Sequence, residues 1–439
     1  MAIAILVRRQ GERKENLAPI HYVAVHGTRQ SKEEQLHSLH INGPGWLTSR
    51  PVEPVPFTPA SRSGWDDFSA LTELMPWCKP GSVIDRSRPE LSQADIDGQI
   101  CVVEQHTQRL QTGPALLFTA LVPDNDYFKG NGGRVLPLLH ADRTPNITPG
   151  LLPHLANSYG LQQVLPKDLL TYIAAVTAHP AFTERYADDL NSLGVRIPLT
   201  ADRRLWHEAV SLGHHILWAS TFGARCTNPA DSRPAGTSNW WRSLYPEITY
   251  AREVAPDKLP SAISFDSEVQ RLVIEGGIFT GVAPRMRNYS TGGRNVLDSW
   301  LAYRSDHAAS KVTSELDHER PERWEPDWSR ELVEVLAVLR HLTALEPQQA
   351  ELLDHIATAP MIDVAELTRR HILPVPERAQ RAHTDPGHAF LPGMDTVDGR
   401  LPGPVEPLSL PNDPADTTPP SSHSPTHPVP RAQRRRGPA

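Results

Sequence analysis

The sequence predicts a mixed α+β fold, an α/β protein in the broad sense, on three observations. Strand-like apolar runs punctuated by turn residues extend from about Val83 to Leu139. Helical periodicity replaces them after Thr148, and a second β section spans roughly residues 247–283 before helices return. A chain of 439 residues has room for two or three domains of this kind.

The first sixty residues are predicted to form a β-hairpin followed by a connector. Ile3–Val7 and His21–Val25 are β-rich runs separated by a charged loop, a pattern typical of a hairpin. Because two strands alone cannot bury a core, this hairpin must pack on another part of the chain or on an N-terminal neighbour. Residues 28–64 carry charges and closely spaced prolines, so we expect little regular structure there.

Periodicity also predicts the first β section and the helices after it. The predicted strands are Ile100–Glu104, Ala115–Val122 and Arg134–Leu139. One helix follows from the spacing of Leu169, Ile173 and Val176, and a second is opened by Pro180 and carries Phe182, Tyr186 and Leu190. A longer helix is predicted to start from Thr200 as N-cap and to bury Leu205, Ala209, Leu212 and Ile216.

The second β section is predicted to contain a hairpin. Ile263 and Phe265 alternate with polar residues, a turn follows, and Leu272 and Ile274 alternate again. The predicted helices after it are Val296–Tyr303, then Ser329–Leu345, then a last helix that Pro347 starts and that ends near Ile356. Residues 373–439 hold 15 of the 43 prolines and few aliphatic residues, which predicts a disordered tail.

Composition restricts the possible function classes. The formal net charge is −7, so bulk charge alone would not bind a nucleic acid, and any polyanion site must be a local patch. No apolar run approaches about 18 residues, so no membrane span is predicted. Cys78, Cys101 and Cys226 are odd in number and far apart, which favours a reducing compartment, and we expect a cytoplasmic protein.

Catalytic motifs are missing from the sequence. Its only Pro-Pro pair lies in the predicted tail and is followed by Ser421, so the polar-Pro-Pro-aromatic loop of N6-adenine methyltransferases is absent. No Gly-Lys pair exists to end a phosphate-binding P-loop, and no Gly-x-Ser-x-Gly elbow exists for a serine hydrolase. The 20 histidines are scattered, and adjacent His214 and His215 point apart on a helix. We therefore predict no catalytic residue, no metal ligand and no cofactor bound by this chain.

Two cationic glycine loops remain as candidates for contact with an anionic partner. The first runs from Lys129 through Asn131 to Arg134, and the second ends at Arg294. Glycines let backbone N–H groups approach a phosphate, and an adjoining arginine can pair with it bidentately. The alternative is that Gly-Gly only permits a turn with positive φ. Arg86 and Arg88, which follow a strand-like run, are a similar candidate pair.

Several blocks resemble the C-terminal part of bacterial type ISP restriction–modification enzymes. These blocks are Val83–Leu91, Phe118–Gly130, Asp168–Leu199, Gly293–Arg304 and Arg320–Ile356. In that family one polypeptide joins a nuclease, an ATP-driven translocase, an N6-adenine methyltransferase and a target-recognition domain. The resemblance implies a hairpin like the end of a methyltransferase domain at 1–40 and a target-recognition domain with a helical spacer at 81–360, with a connector at 41–80 between them. The predicted tail at 373–439 is not part of the family pattern.

The resemblance implies a DNA sequence-recognition component without its own catalytic motifs. Double-stranded DNA would be its partner, with Arg304 added to the candidate contacts, and S-adenosylmethionine and ATP would enter only through a separately encoded methyltransferase or translocase. Two alternatives stay open. One is an assembly protein or decayed remnant that does not bind DNA, favoured by the net charge of −7 and by a stretch before Val83 that is shorter than in the family. The other is one part of a split N6-adenine methyltransferase that a partner completes.

Overall fold

A computed structural model gives the three-dimensional structure. It describes residues 20–49 and 64–381, apart from residues 24, 26–28, 41–42, 45, 81–98, 107–109, 111, 122, 124–127, 129–132, 192–193, 223–244, 256 and 307–320. The predicted strand at 3–7 and the predicted tail beyond residue 381 lie outside the described residues. Leu373 and Ala379, which the sequence placed in the tail, are buried.

The described residues form short strands and mostly short helices. The strands are β1 Ile20–Tyr22, β2 Leu47–Ser49, β3 Ser69–Ala70, β4 Lys79–Pro80, β5 Cys101–Gln105, β6 Leu116–Thr119, β7 Gly133–Pro137, β8 Arg196–Ile197, β9 Thr249–Arg252, β10 Ile263–Asp266, β11 Arg271–Ile274, β12 Gly277–Thr280, β13 Ser290–Thr291 and β14 Arg294–Asn295. The helices are α1 Arg29–Ser38, α2 Leu71–Leu74, α3 Leu151–Tyr159, α4 Pro166–Thr177, α5 Pro180–Arg185, α6 Arg203–Ser220, α7 Pro284–Arg287, α8 Val296–Ala302, α9 Pro326–Thr358 and α10 Val364–Arg369. The predicted mixed α+β class is confirmed.

The larger hydrophobic core, core 1, is built by β5 to β8, α2 to α6, α10 and the C-terminal end of α9. Its antiparallel sheet has the strand order β4-β7-β5-β6, and all five residues of the central strand β5 are buried. The predicted strands Ile100–Glu104, Ala115–Val122 and Arg134–Leu139 correspond to β5, β6 and β7 and are confirmed within two or three residues at their ends. Trp65, Phe68 and Leu71 also belong to core 1, although the sequence placed them in the connector.

Helices α4 and α6 pack together in core 1. A Cβ added at Gly213 would lie 1.8 Å from the Thr171 carbonyl oxygen, so the two backbones meet where α6 has no side chain. The Trp206 ring stacks between Tyr159 and Tyr172, with ring centroids 4.8 and 4.7 Å away. The predicted buried face of α6 is confirmed, since Leu205, Ala209, Leu212 and Ile216 are all buried.

The second core, core 2, lies under a four-stranded antiparallel sheet of order β10-β11-β12-β9. The predicted hairpin is confirmed, with Ile263 opposite Ile274 and Phe265 opposite Leu272. Leu272, Ile274 and Phe279 point into the core, while every residue of β9 is exposed. Helices α7 and α8 and the N-terminal half of α9 complete core 2.

Helix α9 joins the two cores and corrects one prediction. The sequence placed a helix start at Pro347, but Pro347 lies inside a continuous helix of 33 residues. An internal proline costs about 3 kcal/mol. Leu336 and Leu339 are buried in core 2, and Leu353 and Ile356 are buried in core 1. Because each such side chain contributes about 1.5–3 kcal/mol on burial, packing on both sides of the proline outweighs its cost.

Two further predictions are corrected at helix starts and in the connector. The N-cap of α6 is Asp202, whose carboxylate accepts hydrogen bonds from the N–H groups of Arg204 and Leu205, and not Thr200. Helix α1 and strand β2 occupy the segment that was predicted to have little regular structure, and β1 pairs with β2. Helix α1 has no buried residue and is supported by i,i+4 pairs such as Arg29–Glu33 at 2.9 Å, so it has no apolar stripe to predict it. Among the described helices, none is long and apolar enough to cross a membrane.

Candidate functional site

The second glycine loop is a tight hairpin. Strands β13 and β14 pair Ser290 with Asn295 and Thr291 with Arg294, and Gly292 and Gly293 form the two-residue turn. Both glycines have positive φ, 57° and 77°, as a type I′ turn requires. The turn geometry that the sequence left as an alternative is therefore present, and it places the exposed Arg294 directly after the turn.

The base of this hairpin is fixed by Asn295. Its side-chain oxygen caps α8 by accepting a hydrogen bond from the Asp298 N–H at 2.9 Å, and its amide nitrogen donates to the Arg287 carbonyl at 2.7 Å. The guanidinium of Arg287 pairs with the Asp298 carboxylate at 2.7 Å. The second glycine loop is thus held at its base, and Arg294 lies next to a residue whose side chain is hydrogen-bonded to both Arg287 and Asp298.

Phe128 brings the two predicted loops together. A Cβ added at Gly292 would lie 2.7 Å from Cδ1 of Phe128, and one added at Gly133 would lie 3.1 Å from Cδ2 of the same ring. The Phe128 side chain is 1% exposed. Of the first loop, Lys129 and Asn131 lie outside the described residues, whereas Gly133 and Arg134 open β7. The sequence singled out the two loops separately and contained no signal that one ring lies between them.

Arg134 has a buried partner within the protein. Its Nε donates to Glu104 at 2.5 Å, and the other Glu104 oxygen accepts from the Val195 N–H at 2.6 Å. The Glu104 side chain is 0% exposed and the Arg134 side chain 21%. Burial alone would lower the pKa of Arg134, but the hydrogen bond and charge of Glu104 outweigh it and raise that pKa. Phosphate contact by Arg134 stays a prediction, and Glu104 competes for the same guanidinium.

Arg304 is packed between helices. Its guanidinium carbon lies 4.1 Å from the centroid of the Trp300 ring and 5.2 Å from that of Trp328. It donates to the Trp300 carbonyl at 3.2 Å and pairs with Glu331 at 3.4 Å. Stacking of a guanidinium on aromatic faces is worth about 0.5–2 kcal/mol. The structure therefore gives Arg304 a role in joining α8 to α9, and its contact with DNA stays a prediction.

The remaining candidates are only partly described. Arg86 and Arg88 lie outside the described residues, so their predicted role is untested. Among the residues that the structure describes, no three His, Cys, Asp or Glu side chains could share a metal ion. Burial raises the pKa of the Cys78 thiol, against the opposing charge of Arg134, so this cysteine has no activated thiolate. Sequence reasoning missed Phe128 and Asn295, whose importance depends on contacts.

Comparison with protein-family models shows that this mixed α+β chain belongs to a class of restriction-enzyme specificity domains. The model of the Type ISP C-terminal specificity domain matches residues 77–335, more than half of the chain. The chain therefore belongs to the Type ISP C-terminal specificity domain family, which confirms the resemblance drawn from the sequence blocks. A comparison with curated proteins gives no match.

Several solved structures resemble the chain distantly. A cryo-electron microscopy structure of a DrdV–DNA complex is 16% identical, with a TM-score of 0.41, and the match covers 58% of this chain and 24% of that one. A nuclease-deletion mutant of the Type ISP restriction–modification enzyme LlaGI, in complex with a DNA substrate mimic, is 16% identical with a TM-score of 0.37, covering 58% and 18%. The ATP-dependent Type ISP restriction–modification enzyme LlaBIII bound to DNA is 12% identical with a TM-score of 0.39, covering 60% and 16%. The chain spans less than a quarter of the length of each.

Proposed function

We propose that this protein is the DNA sequence-recognition component of a type ISP-like restriction–modification system. It binds double-stranded DNA in the cytoplasm and supplies specificity to a separately encoded methyltransferase or translocase. The observation that carries this proposal is the match to the specificity-domain family over residues 77–335. The chain performs no chemistry in this scheme, and S-adenosylmethionine and ATP are bound by the partner.

The hairpin at Ser290–Asn295 supports this proposal. Contacts to the phosphate backbone position a protein on the duplex, while base contacts specify the sequence. A rigid turn followed by an exposed arginine suits the first task, because the guanidinium is presented without ordering a flexible loop on binding. We assign phosphate contact to Arg294, with Lys129 as a second candidate. Arg86, Arg88, Asn131, Arg134 and Arg304 stay predicted contacts.

The proposal is tested by titrating a labelled duplex library with the full chain at two salt concentrations. Arg294→Ala is expected to weaken binding to all sequences alike and to reduce the slope of log affinity against log salt by about one, the value for one lost phosphate contact. The matched control is Arg204→Ala, which removes another exposed arginine, 72% exposed, at the start of α6. If Arg294→Ala left the slope of log affinity against log salt unchanged, Arg294 would not be part of the DNA interface. Absence of any low-salt binding, with the proposed methyltransferase or translocase partner present, would refute the proposed function.

An assembly protein or remnant that does not bind DNA is the second candidate. The net charge of −7 favours it, since an excess of acidic groups repels a polyanion outside local patches. Comparing methylated adenines in the host genome with and without this gene separates the candidates. Loss of methylation at defined sequences supports the recognition component or a split N6-adenine methyltransferase, whereas unchanged methylation supports the assembly protein.

A further inference from the structure

The hairpin turn of Ser290–Asn295 is clamped by contacts with two other segments of the chain, at Phe128 and at Gly113. On one side the Phe128 ring lies against Gly292 so closely that an added Cβ would be 2.7 Å from the ring and 3.5 Å from the Phe128 Cα. On the other side a Cβ added at Gly113 would lie 2.5 Å from the Ser290 carbonyl oxygen. The hairpin itself is attached to core 2 through α8. Its position thus depends on α8 and on its contacts with the segments at Phe128 and Gly113.

Both sides of this clamp are themselves held in place. The Gly113 carbonyl accepts a hydrogen bond from the Thr183 hydroxyl at 2.6 Å, which fixes that loop to α5. The Phe128 ring also packs against Gly133, the first residue of β7, whose strand pairs with β5. A ring buried between two glycine backbones has little freedom to rotate or withdraw. Phe128 therefore links the position of the β4-β7-β5-β6 sheet to that of the turn before Arg294.

We propose that Phe128 is a positioning residue for DNA binding, which sets where the Arg294 guanidinium meets the phosphate backbone. This inference rests on the proposed function. Phe128 is 1% exposed and does not touch DNA in this scheme, so it acts only through the hairpin. Replacing the ring with a smaller side chain leaves a space beside Gly292, and the turn gains alternative positions. Binding then requires the hairpin to be ordered, which lowers affinity without removing a contact.

A double-mutant cycle in the full chain tests this assignment. The variants are Phe128→Leu, Arg294→Ala and the pair, titrated with the labelled duplex that the unchanged protein binds best. Phe128→Leu is expected to weaken binding about threefold to tenfold, the cost of ordering one or two side chains. In the Arg294→Ala background the same substitution is expected to weaken binding less than about twofold, since the residue it positions is absent. A merely structural role for Phe128 would give equal losses in both backgrounds.

Two controls keep the outcome interpretable. Phe68→Leu makes the same change at a buried site in core 1 that packs against Trp65 and Tyr186, and it is expected to leave affinity unchanged. Phe128→Met is the second variant if Phe128→Leu does not give a cooperative thermal transition. Two outcomes overturn the positioning role alone, provided that the unchanged protein binds the duplex. One is that the losses in the cycle are additive, and the other is that neither Phe128 variant loses affinity. Absence of binding by the unchanged protein overturns the proposed function and this inference together.

Discussion

Removal of Arg134 is expected to destabilise the fold far more than removal of Arg294. Arg134→Ala leaves the Glu104 carboxylate, 0% exposed, without its cation, while it still accepts the hydrogen bond from the Val195 N–H. Loss of one partner from a buried ion pair costs about 3–5 kcal/mol. Because Arg134 is 21% exposed and Glu104 keeps one backbone hydrogen bond, we expect the lower end, about 3 kcal/mol. Glu104→Gln leaves a partly exposed cation that water reaches, so its expected cost is about 1–2 kcal/mol.

Urea unfolding at pH 7 measures this asymmetry. The double variant Arg134→Ala with Glu104→Gln is expected to be more stable than Arg134→Ala alone, because no charge is left buried. Arg294→Ala is the matched control, and an exposed site of this kind is expected to change the free energy of unfolding by less than about 0.5 kcal/mol. Equal urea midpoints for Arg134→Ala and the unchanged protein would refute the reasoning. Such a result would also mean that the pair with Glu104 adds no stability, so Arg134 could contact a phosphate at no cost to the fold.

Two further predictions concern packing and pH. Gly213→Ala places a Cβ 1.8 Å from the Thr171 carbonyl oxygen, so it is expected to lower the free energy of unfolding in urea by at least about 3 kcal/mol. The control Ser211→Ala, on the exposed face of α6, is expected to lower it by less than about 0.5 kcal/mol. Burial and the charge of His215 lower the pKa of His341 to about 4, and burial lowers that of His179 to about 4 against the opposing hydrogen bond to the Val176 carbonyl. In the unfolded chain the two histidines have a pKa of about 6.5, so below that pH they bind more protons than in the folded protein. The stabilisation from their neutral folded form is therefore fully present above pH 6.5, and the free energy of unfolding falls as the pH drops toward 4. His341→Gln is expected to reduce the change in urea midpoint between pH 6.5 and 5. An unchanged dependence of the midpoint on pH would show that His341 does not contribute to it.

Periodicity predicted the elements whose side chains are buried along one stripe or one run. Strand β5 and helices α4 and α6 are examples, because burial of Val102, Ile173 or Ile216 requires their spacing whatever the partner. Elements supported in other ways escaped prediction. Helix α1 depends on polar pairs along its own surface, and Pro347 is tolerated only because both ends of α9 are packed. These outcomes depend on contacts that local pattern does not encode.

The candidate site divides in the same way. The sequence picked out the second glycine loop and Arg294, and the structure shows the loop as a tight turn fixed by Asn295. No sequence pattern indicated that Arg134 pairs with a buried carboxylate or that Arg304 is stacked on two tryptophans. For these two arginines the competing partner is a side chain from another strand or helix. Contact of either arginine with DNA would have to compete with that partner, and both stay predictions.

The sequence by itself determined the mixed α+β class, the family resemblance and the absence of the sought catalytic motifs, since each depends on residue type and on spacing along one segment. Tertiary structure alone decided which cationic residues are engaged within the protein and which loops meet. Glu104 and Arg134 are 30 residues apart, and Gly113 meets Ser290 across a far longer separation. Such pairs form only when both segments pack on a common core, because the energy of a contact depends on burial and geometry that no short segment contains.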